Sequence, residues 1–178
     1  MSTTAIEGVV AAGHVPIYVI PAASVAAFPA NGGSVPLAAL TGATTTKIDC
    51  YLDAGDVSFS RSEQTKTRQR LCQTIAETVK VGETIDITIA AVYDQQETTT
   101  ADVNKAYAAL AEGADVIVAV AWGWDQSVTP DATTVVDVWK GKVRTQDRNF
   151  PTSADEDLKF TSIVSVSQQA KDVTLTGA

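Results

Sequence analysis

The sequence is poor in the residues that carry enzymatic and metal chemistry. Its 178 residues include one histidine, His14, and two cysteines, Cys50 and Cys72. A zinc site needs about four Cys or His ligands, and the three present here lack ligand spacing. A Ser-His-Asp or Cys-His apparatus would have to use His14, which lies in a Gly- and Pro-rich segment without rigid support. No Gly-rich phosphate loop follows a strand and opens a helix. We therefore expect no catalytic residue, metal ligand or cofactor-binding residue.

Cysteine and basic residues are also too scarce to indicate a secreted or membrane protein. Two cysteines cannot form a disulfide scaffold; they could pair, but we expect buried thiols in a cytoplasmic protein. Residues 9–28 are apolar, yet no Lys or Arg precedes Lys47, Pro16 and Pro21 interrupt the segment, and Pro29 follows it. A secretion signal needs a cationic start and an unbroken apolar stretch, and a membrane span needs about 18 apolar residues. The sequence predicts neither.

Positive charge is scarce relative to negative charge, because the formal net charge is -8 and the pI is near 4.5. Such a surface repels nucleic-acid phosphates, which argues against tight DNA or RNA binding across the outside. An acidic wall would also suit a channel through which DNA slides without sticking. Net charge alone does not separate these two interpretations.

Strand signals dominate what is present. Leu is scarce while Val, Thr and Ala are abundant, and β-branched residues suit strands better than helices. Apolar and polar residues alternate at 47–52 and 84–89, whereas 116–122 is apolar on both parities, which predicts a strand covered on both faces. The predicted strands are 47–52, 57–60, 84–93, 116–122, 133–139, 142–150 and 158–166.

Glycine marks two of the predicted turns. Residues 81–83 contain Gly82 and precede the alternating strand that begins at residue 84. Residues 140–142 contain Gly141 and predict a tight hairpin between the strands 133–139 and 142–150.

One helix is predicted, at 101–112. Val103, Tyr107 and Leu110 share a face at helical spacing, Thr99 or Thr100 can cap the start, and Gly113 follows the last turn. The elements together predict a mainly β fold, an antiparallel sandwich or small barrel with one helix on its flank. We place this domain at 47–166, between an extended N-terminal arm (1–46) with one or two short strands and a C-terminal arm (167–178).

A polar stretch at 61–70 offers nothing to bury and predicts a long hairpin loop. In a monomer it would be a solvated loop, and in an assembling protein it would be a docking element. Asp155, Glu156 and Asp157 form an acidic stretch without the alternating oxygens and Gly of a calcium loop, so a solvated turn is favoured over a metal site.

The order of these pieces resembles that of the major tail tube proteins of siphophages, especially those of actinobacterial phages. The resemblance is carried by 56–61 (DVSFSR), 70–72 (RLC), 84–89 (TIDITI), 92–94 (VYD), the helix at 101–112 and the apolar strand at 114–122. It covers residues 45–166 and relates the chain to the tubes of contractile tails and type VI secretion.

The resemblance implies that the protein works by polymerising. Six subunits would close a ring whose inner sheets join into one barrel, and rings would stack into a tube around a DNA channel. Members of such families have no enzymatic activity and no cofactor. The implied partners are other copies of the chain, other tail proteins and DNA that passes without specific binding, with no membrane. The implied location is the virion tail, after assembly in the host cytoplasm.

The resemblance also gives the charged residues candidate roles. Arg61, Lys66, Arg68 and Arg70 concentrate on one loop, and we expect this loop to dock on the adjacent ring, with Asp155, Glu156 and Asp157 as acidic partners. Asp86 and Thr88 alternate with the core-facing Ile85, Ile87 and Ile89, which makes them candidates for the channel wall.

Other functions fit the same pattern. A capsid decoration protein or a pilus-like subunit would share the strands and the absence of chemistry. A carbohydrate-binding β-sandwich would use Trp122, Trp124 and Trp139 as stacking platforms, although tryptophans at strand positions favour core or interface anchors. A hydrolase is the remotest alternative.

Overall fold

The computed structural model describes residues 11–70, 72 and 74–177. Eight strands form one sheet: β1 (Ile17–Pro21), β2 (Ser34–Pro36), β3 (Thr46–Lys47), β4 (Val57–Arg68), β5 (Glu77–Val92), β6 (Asp115–Val120), β7 (Val135–Arg148) and β8 (Lys159–Thr176). Two short helices accompany them, α1 (Leu37–Thr41) and α2 (Lys105–Ala109). The predicted mainly β fold with a flanking helix is confirmed.

The strand order along the sheet is β3-β1-β6-β7-β8-β5-β4. All neighbours on this path are antiparallel. The short strand β2 lies off the path and pairs with the end of β8 in parallel, with Ser34 opposite Thr174. The long strands β7 and β8 therefore form the centre of the sheet.

β6 is buried on both faces, as its two-parity apolar pattern predicts. Val116, Val118 and Val120 point into one core cluster. Ile117 and Ala119 point into another on the opposite face. We call these the first and second core clusters.

The first core cluster lies beneath the predicted helix. Ala106 and Leu110 are fully buried in it. α2 contacts β1, β3 and β5, which are far apart in the strand order of the sheet, so the single sheet curls around the helix. The helical segment is shorter than predicted, a 3-10 turn at Asp102–Asn104 followed by α2, and no side chain caps either start.

The second core cluster covers only part of the sheet. It consists of β1, β6 and the outer ends of β7 and β8, closed over by residues from 25 to 40 that include Val25, Val35 and Leu40. We call this part, with residues 135–140 of β7 and 168–176 of β8, the covered half. β4, β5, residues 142–148 of β7 and residues 159–166 of β8 form the open half, which has the first core cluster on one face only.

The tight hairpin predicted at 140–142 is wrong, because β7 runs without interruption from Val135 to Arg148. Gly141 lies at a register shift against β8. A Cβ at Gly141 would stand 2.4 Å from the carbonyl oxygen of Ser165, so the glycine permits a close approach of two strands. Gly141 therefore marks a β-bulge rather than a turn.

Two other local predictions are wrong. Only the start of the strand predicted at 47–52 exists, since β3 ends at Lys47 and a 3-10 turn follows at Asp49–Tyr51. The turn predicted at 81–83 lies inside β5.

The cysteines also differ from expectation, because Cys50 and Cys72 are free thiols and both are exposed rather than buried. Cys50 lies in the 3-10 turn after β3, and Cys72 lies in the connection between β4 and β5. Neither position is on a core-facing strand, which explains their exposure.

The segments predicted as arms contribute strands to this sheet. β1 lies between β3 and β6, and its Ile17 and Val19 belong to the first core cluster while Tyr18 and Ile20 belong to the second. β8 continues to Thr176, with Val173 and Leu175 buried. None of the helices formed by the described residues has the length and apolar character needed to cross a membrane.

Candidate assembly surface

The open half of the sheet ends in two uncovered strand edges. β4 is the last strand in the order and pairs with β5 alone among the described residues. On the other side, β6 accompanies β7 only as far as Lys142, which lies opposite Asp115. Residues 144–148 therefore pair with β8 but with no described strand on their other edge. Such edges present unpaired N–H and C=O groups.

The hydrogen bonds identify which groups of β4 point outward. The Ala90 N–H donates to the carbonyl oxygen of Asp56 at 2.9 Å, so residue pairs in phase with this one, such as Ser60 with Asp86, are hydrogen-bonded. In an antiparallel ladder the alternate residues direct their backbone groups away from the partner. The outward set on β4 is Val57, Phe59, Arg61 and Glu63.

The same reasoning applies to β7. The Asn149 N–H donates to the carbonyl oxygen of Lys159 at 2.8 Å, which places residues 145 and 147 in the bonded phase with β8. The backbone groups of Gln146 and Arg148 consequently face away from β8. Both edges of the open half thus offer alternating donors and acceptors.

The prediction of a loop at 61–70 is partly wrong, because residues 61–68 belong to strand β4. β4 and β5 pair as far as Arg68 and Glu77, while β8 accompanies β5 only from Val166 opposite Ile85 onward. The hairpin therefore extends beyond the sheet. All its β4 residues from Ser58 are exposed, which is why no apolar pattern announced the strand.

The basic residues of this hairpin make cross-strand contacts. Arg61 Nε lies 2.8 Å from Glu83 Oε1, and Arg61 donates to Gln169 Oε1 at 3.0 Å. Arg68 lies 3.5 Å from Glu77. Lys66 and Arg70 are exposed. Exposed pairs of this kind contribute about 0 to 1 kcal/mol each, so they orient the side chains more than they stabilise the fold.

Glu63, the third acidic residue of the hairpin, is hydrogen-bonded to a side chain of β5. Lys80 donates to Glu63 at 2.8 Å and also contacts Glu83. The hydrogen bond from Lys80 lowers the pKa of Glu83 below its ordinary value. The hairpin from residue 61 to residue 83 nevertheless has more basic than acidic side chains, in contrast to the acidic chain as a whole.

The predicted acidic partners lie at the opposite end of the strands. Asp155, Glu156 and Asp157 are exposed in the loop between β7 and β8, beside the start of β4. β4 has 12 residues, so this loop and the hairpin end are separated by about 40 Å of strand. The Thr152 N–H donates to Glu156 at 2.6 Å and lowers its pKa. Within one subunit, the basic and acidic elements do not meet.

Asp53, Asp56 and Lys159 form an ion-paired cluster at the acidic end of the open half. Lys159 Nζ lies 2.6 Å from Asp53 Oδ2 and 2.7 Å from Asp56 Oδ2. These hydrogen bonds raise the pKa of Lys159 above its ordinary value. Sequence patterns could not announce this cluster, because Lys159 is more than 100 positions from Asp53 and Asp56 along the chain.

Asp86 and Thr88 lie on the uncovered face of the open half, as alternation predicted. Ile87 and Ile89 are fully buried in the first core cluster, whereas Asp86 and Thr88 are half-buried on the other side. Ser165 donates to Asp86 Oδ1 at 2.7 Å, and Arg144 lies 3.8 Å from Asp86 Oδ2. We call this uncovered side the open face.

The tryptophans do not form a common stacking platform. Trp139 is buried and lies 4.7 Å from the ring of Phe59, centroid to centroid. Trp122 is 57% exposed, and its Nε1 donates to Asp137. Trp124 donates to the carbonyl oxygen of Val128. The contact of Phe59 with Trp139 anchors the base of β4, which sequence reasoning missed.

The described residues show no grouping suited to catalysis or metal binding. Among them, no three His, Cys, Asp or Glu side chains cluster to hold a metal ion. His14 is half-buried and its Nδ1 lies 3.0 Å from the carbonyl oxygen of Ala12. The features that stand out in the open half are edges, a projecting hairpin and a polar face.

Solved structures with a similar chain come from tails and baseplates, at low similarity. A 6-fold symmetrised anti-feeding prophage baseplate matches with a TM-score of 0.46, 8% identity and 95% coverage of both chains. The tail of an empty gene transfer agent particle, refined with C6 symmetry, matches with a TM-score of 0.44 and 14% identity over 73% of this chain and 87% of the other. The virion of a native gene transfer agent matches with a TM-score of 0.42 and 12% identity over 68% and 92%.

Likenesses at this level do not transfer an assembly geometry to this chain. No curated protein matches the sequence. The family model of the phage tail tube protein matches residues 2–178. The chain belongs to the phage tail tube protein family and is a structural protein of the phage tail.

Proposed function

We propose that copies of this chain close into a ring by joining the open edge of β4 to the open edge of β7 in the next copy. The observation that carries this proposal is the pair of open edges on a four-stranded half-sheet. Because the open half has an even number of antiparallel strands, a rotated copy presents β4 antiparallel to the neighbouring β7. Closure around a ring removes both edges, which otherwise invite uncontrolled pairing.

Ring closure places the open face on one side of a continuous barrel. The first core cluster and α2 occupy the opposite side of the half-sheet. The open face, with Asp86 and Thr88, then lines a central channel, and the covered halves form the outer wall. The ring has six copies, as the resemblance of the sequence to siphophage tube proteins implies.

Rings stack head to tail into the tail tube. The basic hairpin projects from one end of the open half and the acidic loop lies at the other end, so a stacked copy brings Arg68 and Arg70 towards Asp155 and Asp157. Arg61 lies at the base of the hairpin, whereas Lys66, Arg68 and Arg70 lie nearer to its end and therefore nearer to the stacked ring. Repetition around the ring multiplies weak pairs.

The polymer is the functional unit. The tube assembles in the host cytoplasm with other tail proteins and serves as the channel for DNA ejection. The role requires no catalysis by the chain, which agrees with its membership of a structural family.

Replacing Arg61 by proline tests the edge contact. The Arg61 N–H points away from β5, so proline removes an outward donor without removing a bond of the β4–β5 ladder. Arg61→Pro should remain folded by circular dichroism but should form no rings or tubes in negative-stain images. Arg61→Ser removes the same side-chain contacts and keeps the N–H, so it should still assemble. Equal assembly of the two variants would contradict the proposal.

A further inference from the structure

The open face is rich in hydroxyl groups rather than in acidic groups. Register places on it the side chains that alternate with the core-facing Ile87, Ile89 and Val164 and, on β4, with Phe59. The hydroxyl-bearing members are Ser58, Ser60, Ser62, Thr84, Thr88, Thr145, Thr161 and Ser165. Hydroxyls donate and accept hydrogen bonds without net charge. A wall of this composition holds water without presenting a field of one sign.

The ionised residues of this face balance one another. Among the described strands its acidic members are Asp86 and Asp147 and its basic members are Lys142, Arg144 and Lys159, the last of which is paired with Asp53 and Asp56. This balance contrasts with the net charge of -8 for the chain. The excess acid therefore lies elsewhere, in part on the exposed loop with Asp155 and Asp157.

Two cations of this face, Arg144 and Lys159, lie beside carboxylates. Arg144 lies 3.8 Å from Asp86, whose other oxygen accepts a hydrogen bond from Ser165 at 2.7 Å. Lys159, at the end of the face, is held by Asp53 and Asp56. Glu112, from the loop after α2, lines one shallow depression with Lys142 and Arg144. Arg144 and Lys159 thus each have a carboxylate within ion-pair distance.

We propose that the channel wall is charge-balanced, and that Asp86 acts by masking Arg144 from passing DNA rather than by repelling the DNA. The inference rests on the proposed function, because it takes the open face as the channel wall. It replaces the expectation of an acidic lumen with a wall of hydroxyls and paired charges.

The physical basis is the strength of contacts between cations and phosphates. An unpaired Arg in a channel binds DNA phosphate and releases counterions, and the arrangement repeats in every subunit of every ring. A duplex sliding along a tube would meet such a cation at each repeat. A carboxylate within ion-pair distance competes with the phosphate and lowers this retention.

Duplex DNA captured inside assembled tubes provides the test. Tubes of the full chain are formed in the presence of a short fluorescent duplex and treated with nuclease, which removes DNA bound outside. The protected DNA is then measured as a function of salt. Asp86→Asn should raise protected DNA about fivefold or more at low salt and steepen its salt dependence, because Arg144 is unmasked.

Two double variants separate masking from net charge. Asp86→Asn with Arg144→Gln should return protection to the level of the unmodified chain. Asp86→Asn with Lys142→Gln has the same net charge and removes a cation two residues away on the same strand and face. It should retain the excess DNA. Rescue by both double variants to the same degree would overturn masking in favour of a simple net-charge effect.

An independent variant covers the case in which Asp86→Asn does not assemble. Ser58→Lys adds an unmasked cation at an exposed position of the open face, and it should also increase protected DNA. Tubes of Ser58→Lys or Asp86→Asn that protect no more DNA than the unmodified chain would overturn the inference. Failure of the unmodified chain to form any ring or tube would instead overturn the proposed function.

Discussion

The two halves of the sheet use the same strands in different ways. In the covered half, Val138 of β7 and Ala170 of β8 are buried in the second core cluster, while Trp139 of β7 belongs to the first core cluster. In the open half the same two strands have Val143 and Val164 in the first core cluster and hydroxyl or charged side chains on the other face. The difference indicates that the covered half stabilises the subunit and the open half is left for contacts that a single subunit cannot make.

The largest expected effect is that of a charge in the covered half. Val118 is fully buried at the centre of β6, and Val118→Asp places an unpaired carboxylate in the first core cluster. We expect a loss of more than about 4 kcal/mol in the free energy of unfolding. Thr88 is also β-branched but lies on the open face, so Thr88→Asp should change the free energy of unfolding by no more than about 1 kcal/mol. Chemical denaturation measures both, and similar losses would contradict the distinction between the halves.

An intermediate effect is expected at Gly141, where β7 passes from one half to the other. Gly141→Ala forces a Cβ towards the carbonyl oxygen of Ser165, and we expect a loss of about 1–3 kcal/mol. Gly82→Ala is the matched control, since a Cβ there would meet only the flexible side chain of Gln64, at 3.2 Å. The control should lose less than about 1 kcal/mol in the same denaturation experiment. A larger loss at Gly82 than at Gly141 would show that the junction is not the constrained site.

Removing the hairpin should have the smallest effect on stability, but it should abolish tube assembly. Replacing residues 63–83 by Asn-Gly joins Ser62 to Thr84, a hydrogen-bonded pair that suits a two-residue turn. The removed residues extend beyond β8, so the free energy of unfolding should fall by no more than about 1 kcal/mol. Tube growth should stop, as seen by sedimentation and negative-stain images. A shortened chain that still formed long tubes would remove the hairpin from the stacking contact.

The sequence predicted those elements whose pattern is set by burial. β5 and β6 follow from alternation and from the two-parity apolar pattern, and the helix follows from Val103, Tyr107 and Leu110. Asp86 and Thr88 fall on the predicted face for the same reason. In each case the spacing of apolar side chains along the chain directly indicates which faces of the element are buried.

The sequence did not predict elements whose conformation depends on distant partners. β4 beyond Ser60 is exposed on both faces, so only its pairing with β5 makes it a strand. Gly141 has the local signature of a turn, but the approach of Ser165 makes it a bulge. Residues 17–20 carry the same two-parity pattern as β6, and that pattern was the available sign that β1 lies inside the sheet.

Amide hydrogen exchange on free and assembled protein tests the edge contact most directly. In the free subunit the amides of Phe59, Arg61 and Glu63 should exchange rapidly while those of Ser58 and Ser60 are protected by β5. Assembly should protect the first set as well, together with Gln146 and Arg148 on β7. An alternating pattern that persisted unchanged in assembled protein, or a chain that stayed monomeric at every concentration and salt, would contradict the account.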